Sequence, residues 1–300
     1  MDVRSIAALA LVGSALFGCV GSPSPLAPGG KGSVGVPHRG VLTGGAALPK
    51  KGVGFERLRK QDDVKWGNPR LVTAITTAAA EVAKARPGGA PLLVADLSNR
   101  RGGAADGHRS HRTGRDADLL LYALTPDGRS VRSPGFVNYK ADGLAEHDGE
   151  LFRLDVERTW LLVKGLIEAP GAEVQWLFVA GWLEALLIEY ARARGEGDEL
   201  VHRAESVLLQ PGDSTPHADH IHLRVACTPE ELVAGCMGGG PRWSWLAPTP
   251  QLPPLTDEEL IASIVGDLLP PKGIAAPPTP AANLATSAAA PVALPGPTAP

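Results

Sequence analysis

The stretch "GHRSHRTGRDADLLLY", Gly107 to Tyr122, sets two histidines, two aspartates and three arginines at the front of an apolar run. The chain has only 8 histidines, and two of them stand here three residues apart, just ahead of a pair of acids. "ADLLLYAL" reads as a buried strand, so the polar cluster leads into a sheet. In that strand Asp118, Leu120 and Tyr122 share one face and Leu119 and Leu121 point inward. Gly114 frees the turn that brings His111 back towards Asp118.

A second cluster answers the first. "HADHIHLRV" carries His217, His220 and His222, so the two clusters hold five of the 8 histidines. With Ile221 to Ala226 as a strand, Ile221, Leu223 and Val225 face the core, and His220, His222 and Arg224 the other side. Two same-face histidines lie roughly 6.5–7 Å apart along a strand, which suits one metal ligand with a neighbouring acid or base. Two imidazoles and one carboxylate around an open position make the ligand set of a catalytic zinc. Such a zinc brings the pKa of water to about 7 and polarises a carbonyl. The competing reading has surface histidines, with Asp116 and Asp118 paired to Arg112 and Arg115. His38, His147 and His202 have no metal-like spacing.

Around these clusters the sequence reads as one α+β domain, a central antiparallel sheet flanked by helices, over residues 51–247. "NPRLVTAITTAAAEVAKARPGG" opens with Asn68 as a cap and Pro69 at the first helical position. "DVERTWLLVKGLIE" and "GWLEALLIEYARARG" are helices with one apolar face each. "PLLVADLS", "EVQWLFVA" and "HIHLRVAC" are strands. Helix and strand do not alternate strictly, so an α+β domain with an antiparallel sheet fits better than a doubly wound sheet.

The flanks differ in composition. Residues 1–19 read as a signal peptide, with Arg4, an apolar run from Ile6 to Phe17 and small residues before Cys19. "LFGC" resembles the lipobox of bacterial lipoproteins, in which Cys19 would carry the lipid. Residues 20–50, rich in Gly, Pro and Ser, read as a tether. Residues 248–300 hold 13 of the 28 prolines and read as a mostly disordered tail. Thr256 and Glu259 in that tail form a capping-box pattern. The net charge of -3 gives no sign of a nucleic-acid partner. Past the N-terminus no apolar run has the length of a membrane span, which leaves a lipid anchor as the membrane contact. With Cys19 set apart, Cys227 and Cys236 remain. In an oxidising compartment the pair reads as a disulfide, against two buried thiols.

"SHRTGRDAD" resembles the S-x-H-x-x-G-x-x-x-D signature of the metallopeptidase group that contains D-alanyl-D-alanine carboxypeptidases, murein endopeptidases and the hedgehog domain, and "HIH" resembles its later H-x-H. Within that group, "GHRSHRTGRDAD", "HADHIH" and "RGG" at Arg101–Gly103 are most similar to the penicillin-insensitive murein endopeptidases. The resemblance extends over residues 51–245. It implies that His111, Asp118 and His222 bind one zinc ion, that His220 is the catalytic acid or base, and that His217 and His108 support it. It implies a cell-envelope enzyme of the periplasm whose substrate is peptidoglycan, cutting the cross-link between D-alanine and meso-diaminopimelate without an acyl-enzyme. D-alanyl-D-alanine carboxypeptidases have a glutamate three residues before the H-x-H, where this chain has His217. Two other readings stand beside it: a D,D-carboxypeptidase trimming terminal D-alanine, and a non-catalytic peptidoglycan-binding lipoprotein that keeps the zinc. Asp116 is expected to orient a ligand histidine, or else to cap a turn. Arg101 or Arg100 is expected to meet a substrate carboxylate, or else to be a solvated arginine.

Overall fold

The computed structural model describes residues 31–59, 63–105, 107–212 and 214–249. The strands in chain order are β1 (Gly32–Val36), β2 (Arg39–Thr43), β3 (Ala46–Ala47), β4 (Lys51–Gly52), β5 (Phe55–Arg57), β6 (Trp66–Gly67), β7 (Leu92–Val94), β8 (Asp116–Leu120), β9 (Ala123–Leu124), β10 (Ser130–Val131), β11 (Leu144–His147), β12 (Glu150–Leu154), β13 (Val174–Phe178), β14 (Leu208–Leu209) and β15 (His220–Val225). The helices are α1 (Pro69–Ala85), α2 (Val156–Glu168), α3 (Gly181–Ala193), α4 (Asp198–Val207) and α5 (Pro229–Val233). This is the expected α+β class.

The main sheet has seven strands in the order β14-β13-β15-β8-β7-β5-β4. Its centre, β13-β15-β8-β7, is antiparallel as expected. Towards the two sides a parallel pair is added: β5 with β7, joined through α1, and β13 with β14, joined through α3 and α4. Parallel neighbours need such a long crossover, and the helices supply it. A four-stranded sheet, β10-β9-β12-β11, contains a hairpin turned by Asp148 and Gly149, both at positive φ. Two-residue turns of that kind match the twist of the flanking strands.

The helices cover one face of the main sheet. Asn68 caps α1 by accepting from the Arg70 N–H, and Pro69 starts it. Asp155 caps α2 through the Arg158 N–H at 3.0 Å. The small residues of α1 allow a close crossing, since a Cβ on Gly165 of α2 would lie 3.2 Å from Ala78. Against these helices pack Ala117 and Leu119 of β8 and Ile221, Leu223 and Val225 of β15, all fully buried. The alternate residues Asp116, Asp118, His220, His222 and Arg224 are thereby committed to the opposite face. β8 stops at Leu120. Tyr122, expected on the Asp118 face, instead joins the core, with the Arg158 guanidinium 4.4 Å from its ring centre.

The N-terminal boundary also differs from the sequence expectation. The tether expected over residues 20–50 gives way to strand at Gly32. β1 and β2 pair antiparallel, and Val41, Leu42 and Leu48 are buried. The Ser33 hydroxyl donates to Thr113 O at 2.7 Å, in the loop that carries the first histidine cluster. The hub of this attachment is Glu231 of α5, a buried carboxylate. It accepts from the Ser33 N–H at 2.9 Å, the Asn68 amide, the Thr228 N–H at 3.0 Å and Arg70 Nη2 at 2.8 Å. Cys227 and Cys236, on either side of α5, form a disulfide with Cα atoms 6.0 Å apart. The signal segment with Cys19, the first part of the tether and the tail with Thr256 and Glu259 lie outside the described residues.

Removing one member of a buried charged cluster strands its partners. Glu231→Ala is therefore expected to lower stability by about 3 kcal/mol in urea unfolding. A loss under about 1 kcal/mol would show that the N-terminal hairpin is not held through this carboxylate.

Candidate active site

The register of β8 against β15 places His222 opposite Asp118, Arg224 opposite Asp116 and His220 opposite Leu120. Asp118 N–H donates to Asp96 O and Ala95 N–H to Asp118 O, both at 2.9 Å, which extends the ladder beyond β7. From there the loop after Ser98 swings out and returns with His108 and His111. It turns on His111 itself, at φ 64, and on Gly114, at φ 72. At Gly114 the positive φ favours glycine, and a Cβ there would also sit 2.7 Å from the Leu42 side chain.

Three imidazole nitrogens converge on one carboxylate oxygen. His111 Nε2 lies 3.3 Å from Asp118 Oδ1, His222 Nδ1 3.2 Å and His220 Nε2 3.4 Å. The other nitrogen of each ring is committed elsewhere. His111 Nδ1 is 2.7 Å from Leu97 O, an acceptor only, so Nδ1 carries a proton and Nε2 is the atom turned to Asp118. His222 Nε2 is 2.9 Å from Asp116 Oδ1, which also accepts from Arg224 Nε at 2.6 Å. His220 Nδ1 is 2.6 Å from Asp219 Oδ1. Each ring is thus oriented from behind by an acceptor, the arrangement that fixes metal-ligand histidines. His108 is held in the same manner, with Nε2 3.1 Å from Asp96 Oδ2 and Nδ1 3.7 Å from Asp118 Oδ2. Arg59 Nε in turn lies 3.0 Å from Asp96 Oδ1.

These residues suit a cation. His111 Nε2 and Asp118 Oδ1 are buried without a hydrogen-bond partner. In a tetrahedral zinc site with bonds of about 2.0–2.1 Å, neighbouring donor atoms stand about 3.3 Å apart. The three nitrogen-to-oxygen separations here lie on either side of that value. Two groups have metal-like spacing among the described residues, His108–His111–Asp118 and His217–His220–His222.

The five histidines differ in burial. His111 and His222 are buried, and Asp118 lies between them. His217 and His220 are partly exposed and line a cavity of about 620 Å³. Both strand histidines reach the same Asp118 oxygen, and His220 is the more exposed of the two. Arg101 lines a different cavity of about 570 Å³, with Arg100 and Trp66 and none of the five histidines. Sequence reasoning missed Asp96, Arg59 and the role of Asp219. "PLLVADLS" reads as an apolar strand, and the one acid near its end was the available signal.

Charge coupling is strong. Burial pushes Asp116 up, but Arg224 and His222 overcome this and hold it well below the carboxylate range. Burial is likewise overcome at Asp118 by His111, His220 and His222. Burial pulls His220 down, yet Asp118 and Asp219 raise it to about 9. His217 is lowered to about 4 by burial and by the neighbouring His220 and His222. The raised His220 contributes stability below pH 6.5 that is lost as pH rises through 9. The lowered His217 opposes folding in acid, so its penalty fades as pH rises from 4 to 6.5. Chelator-treated protein is therefore expected to be most stable near pH 6.5, losing about 2 kcal/mol by pH 9 in urea titrations. Burial pulls His222 down as well, yet Asp116 and Asp118 raise it too, so His220→Asn should make the alkaline limb shallower without removing it; an unchanged limb would contradict the coupling.

The sequence profile of the penicillin-insensitive murein endopeptidases matches residues 33–238, from the first hairpin through the disulfide. Relatives bearing that name include one from Haemophilus influenzae, 26% identical over 242 residues, covering 75% of this chain and 77% of the relative. One from Escherichia coli O157:H7 is 29% identical over 240 residues, 71% of this chain and 85% of its own. Another, from Shigella boydii, is 26% identical over 263 residues, 78% and 89%. With strands, clusters and disulfide all inside the matched segment, the chain belongs to the penicillin-insensitive murein endopeptidase family.

Proposed function

We propose that the chain is a zinc-dependent murein endopeptidase that hydrolyses the D-alanyl–meso-diaminopimelyl cross-link of peptidoglycan. The observation that carries this reading is the convergence of His111 Nε2, His222 Nδ1 and His220 Nε2 on Asp118 Oδ1, beside an open cavity. His111, Asp118 and His222 are the residues that would hold the ion. Zinc, when bound, supplies Lewis acidity that polarises a carbonyl and makes water a nucleophile at neutral pH.

The chain's own residues divide the remaining work. Arg224 and Asp116 keep the His222 Nε2 proton in place and leave Nδ1 turned inward. The Leu97 carbonyl does the same for His111 from the other side. His220, backed by Asp219, presents Nε2 at the cavity edge. Paired with Asp118 and Asp219 it is held protonated at neutral pH, so it would stabilise the developing oxyanion, pass its proton to the departing amine as the C–N bond breaks, and regain one from the water consumed. His217 stands beside it with ring centres 4.9 Å apart, and burial keeps its imidazole neutral. His108, wedged between Asp96 and Asp118, supports the ligand carboxylate. No nucleophilic side chain is required, so β-lactams, which trap serine acyl-enzymes, have nothing to trap.

The Cys227–Cys236 disulfide fits the oxidising periplasm. No helix among the described residues is long and apolar enough to cross a membrane. A lipid on Cys19 would tether the domain to the envelope.

Purified cross-linked muropeptide dimers are the direct substrate. Zinc-loaded protein is expected to convert them to monomers; chelation should stop this and zinc restore it. His222→Ala should remove both zinc and cleavage. Full activity in chelator would contradict the reading, and cleavage of linear pentapeptides alone would favour a carboxypeptidase. Asp116→Asn, read by zinc competition with a chelating dye, is expected to weaken zinc binding by about 10- to 100-fold. Unchanged affinity would mean that Asp116 does not orient His222.

A further inference from the structure

The cavity beside His217 and His220 has walls of different chemistry. One is formed by Trp182, Thr215 and Pro216, the other by Asn138, Tyr139 and Lys140. The walls are braced against each other. Trp182 Nε1 donates to Tyr139 O at 2.9 Å, Tyr139 N–H to Ala218 O at 2.9 Å, and Ala180 N–H to His217 O at 2.8 Å. The indole N–H is thereby used, and the rest of the ring serves as an apolar wall. Segments from three parts of the chain are joined backbone to backbone, which makes the cavity preformed, as ligand sites usually are.

Its charge is unbalanced. Two side chains other than the histidines that carry charge at neutral pH line it, Asp219 and Lys140. The Asp219 carboxylate is engaged with His220 at 2.6 Å. Lys140 is exposed, and its ammonium has no ion pair or hydrogen bond among the described residues. The cavity therefore offers one unpaired cation, with the candidate acid–base histidine on its rim.

We propose that this cavity seats the amine-side stem of the cross-link and that Lys140 pairs with the free carboxylate beside the scissile amide. The inference rests on the murein endopeptidase reading. In that cross-link the acylated amine and a free carboxylate sit on the same carbon of the diamino acid. One cation facing one carboxylate next to the bond would select the stem and set its amide against His220. This moves carboxylate recognition from Arg101, whose cavity holds none of the histidines, to Lys140.

The test uses the full zinc-loaded chain and two synthetic cross-linked dimers that differ only at that carboxylate, free in one and amidated in the other. The free-acid dimer should be preferred about fivefold in kcat/KM, through KM, the size of one exposed ion pair. Lys140→Met should abolish the preference by lowering kcat/KM on the free-acid dimer, with the thermal midpoint unchanged. Lys140→Arg should restore it, and Arg101→Met should leave it intact. The proposal is overturned if wild type cleaves both dimers equally, if Lys140→Met keeps the preference, or if Arg101→Met removes it. Cleavage of neither dimer by wild type would overturn the endopeptidase reading itself, and the inference with it.

Discussion

The antiparallel pairing of β8 with β15 sets His222 directly across from Asp118, and the geometry of the site follows from that register. The register is enforced from the opposite face. Ala117, Leu119, Ile221, Leu223 and Val225 are fully buried against the helices. Slipping β15 by one residue would turn its three apolar side chains to the polar side and bury two histidines and an arginine in the core. Hydrophobic burial, at roughly 25 cal/mol per Å² of apolar surface, thus selects the polar face without contacting it.

Burying carboxylates such as Asp116 and Asp118 is costly unless each is surrounded by compensating groups. Two parallel chains of contacts provide this. On one side Arg224, Asp116 and His222 follow one another; on the other, Arg59, Asp96 and His108. Both end at Asp118, one at each carboxylate oxygen. Each arginine lies at the outer end of its chain and each histidine at the inner end, so the rings are held by charge as well as by packing. The arrangement leaves His111 Nε2 and Asp118 Oδ1 without hydrogen-bond partners, in a position to meet a cation.

Much of this was readable from residue spacing. Period-two alternation in "DADLLL" and "HIHLRV" assigned faces correctly, because each strand turns one apolar side to the helices. The five clustered histidines announced a site, and the structure brings all five together. What escaped had physical reasons. Asp96 sits at the end of a short apolar strand, where alternation has no length in which to show. Arg59 meets it only through the fold. The hairpin at 32–43 is rich in glycine, so its composition resembles a tether; its attachment depends on Glu231, almost two hundred residues away. The Asp148–Gly149 turn was available as a signal, being one of the stronger short-range marks of a hairpin.

Asp118 with His111 and His222 is proposed to form a metal centre rather than a hydrogen-bonded cluster. X-ray absorption at the zinc edge, on the full chain loaded with one equivalent of zinc, tests it most directly. The account predicts two imidazole nitrogens at about 2.0–2.1 Å with oxygen completing a four-coordinate shell, and no sulfur. His222→Ala should lose one imidazole contribution. A shell of oxygen alone, or one unchanged in His222→Ala, would contradict it.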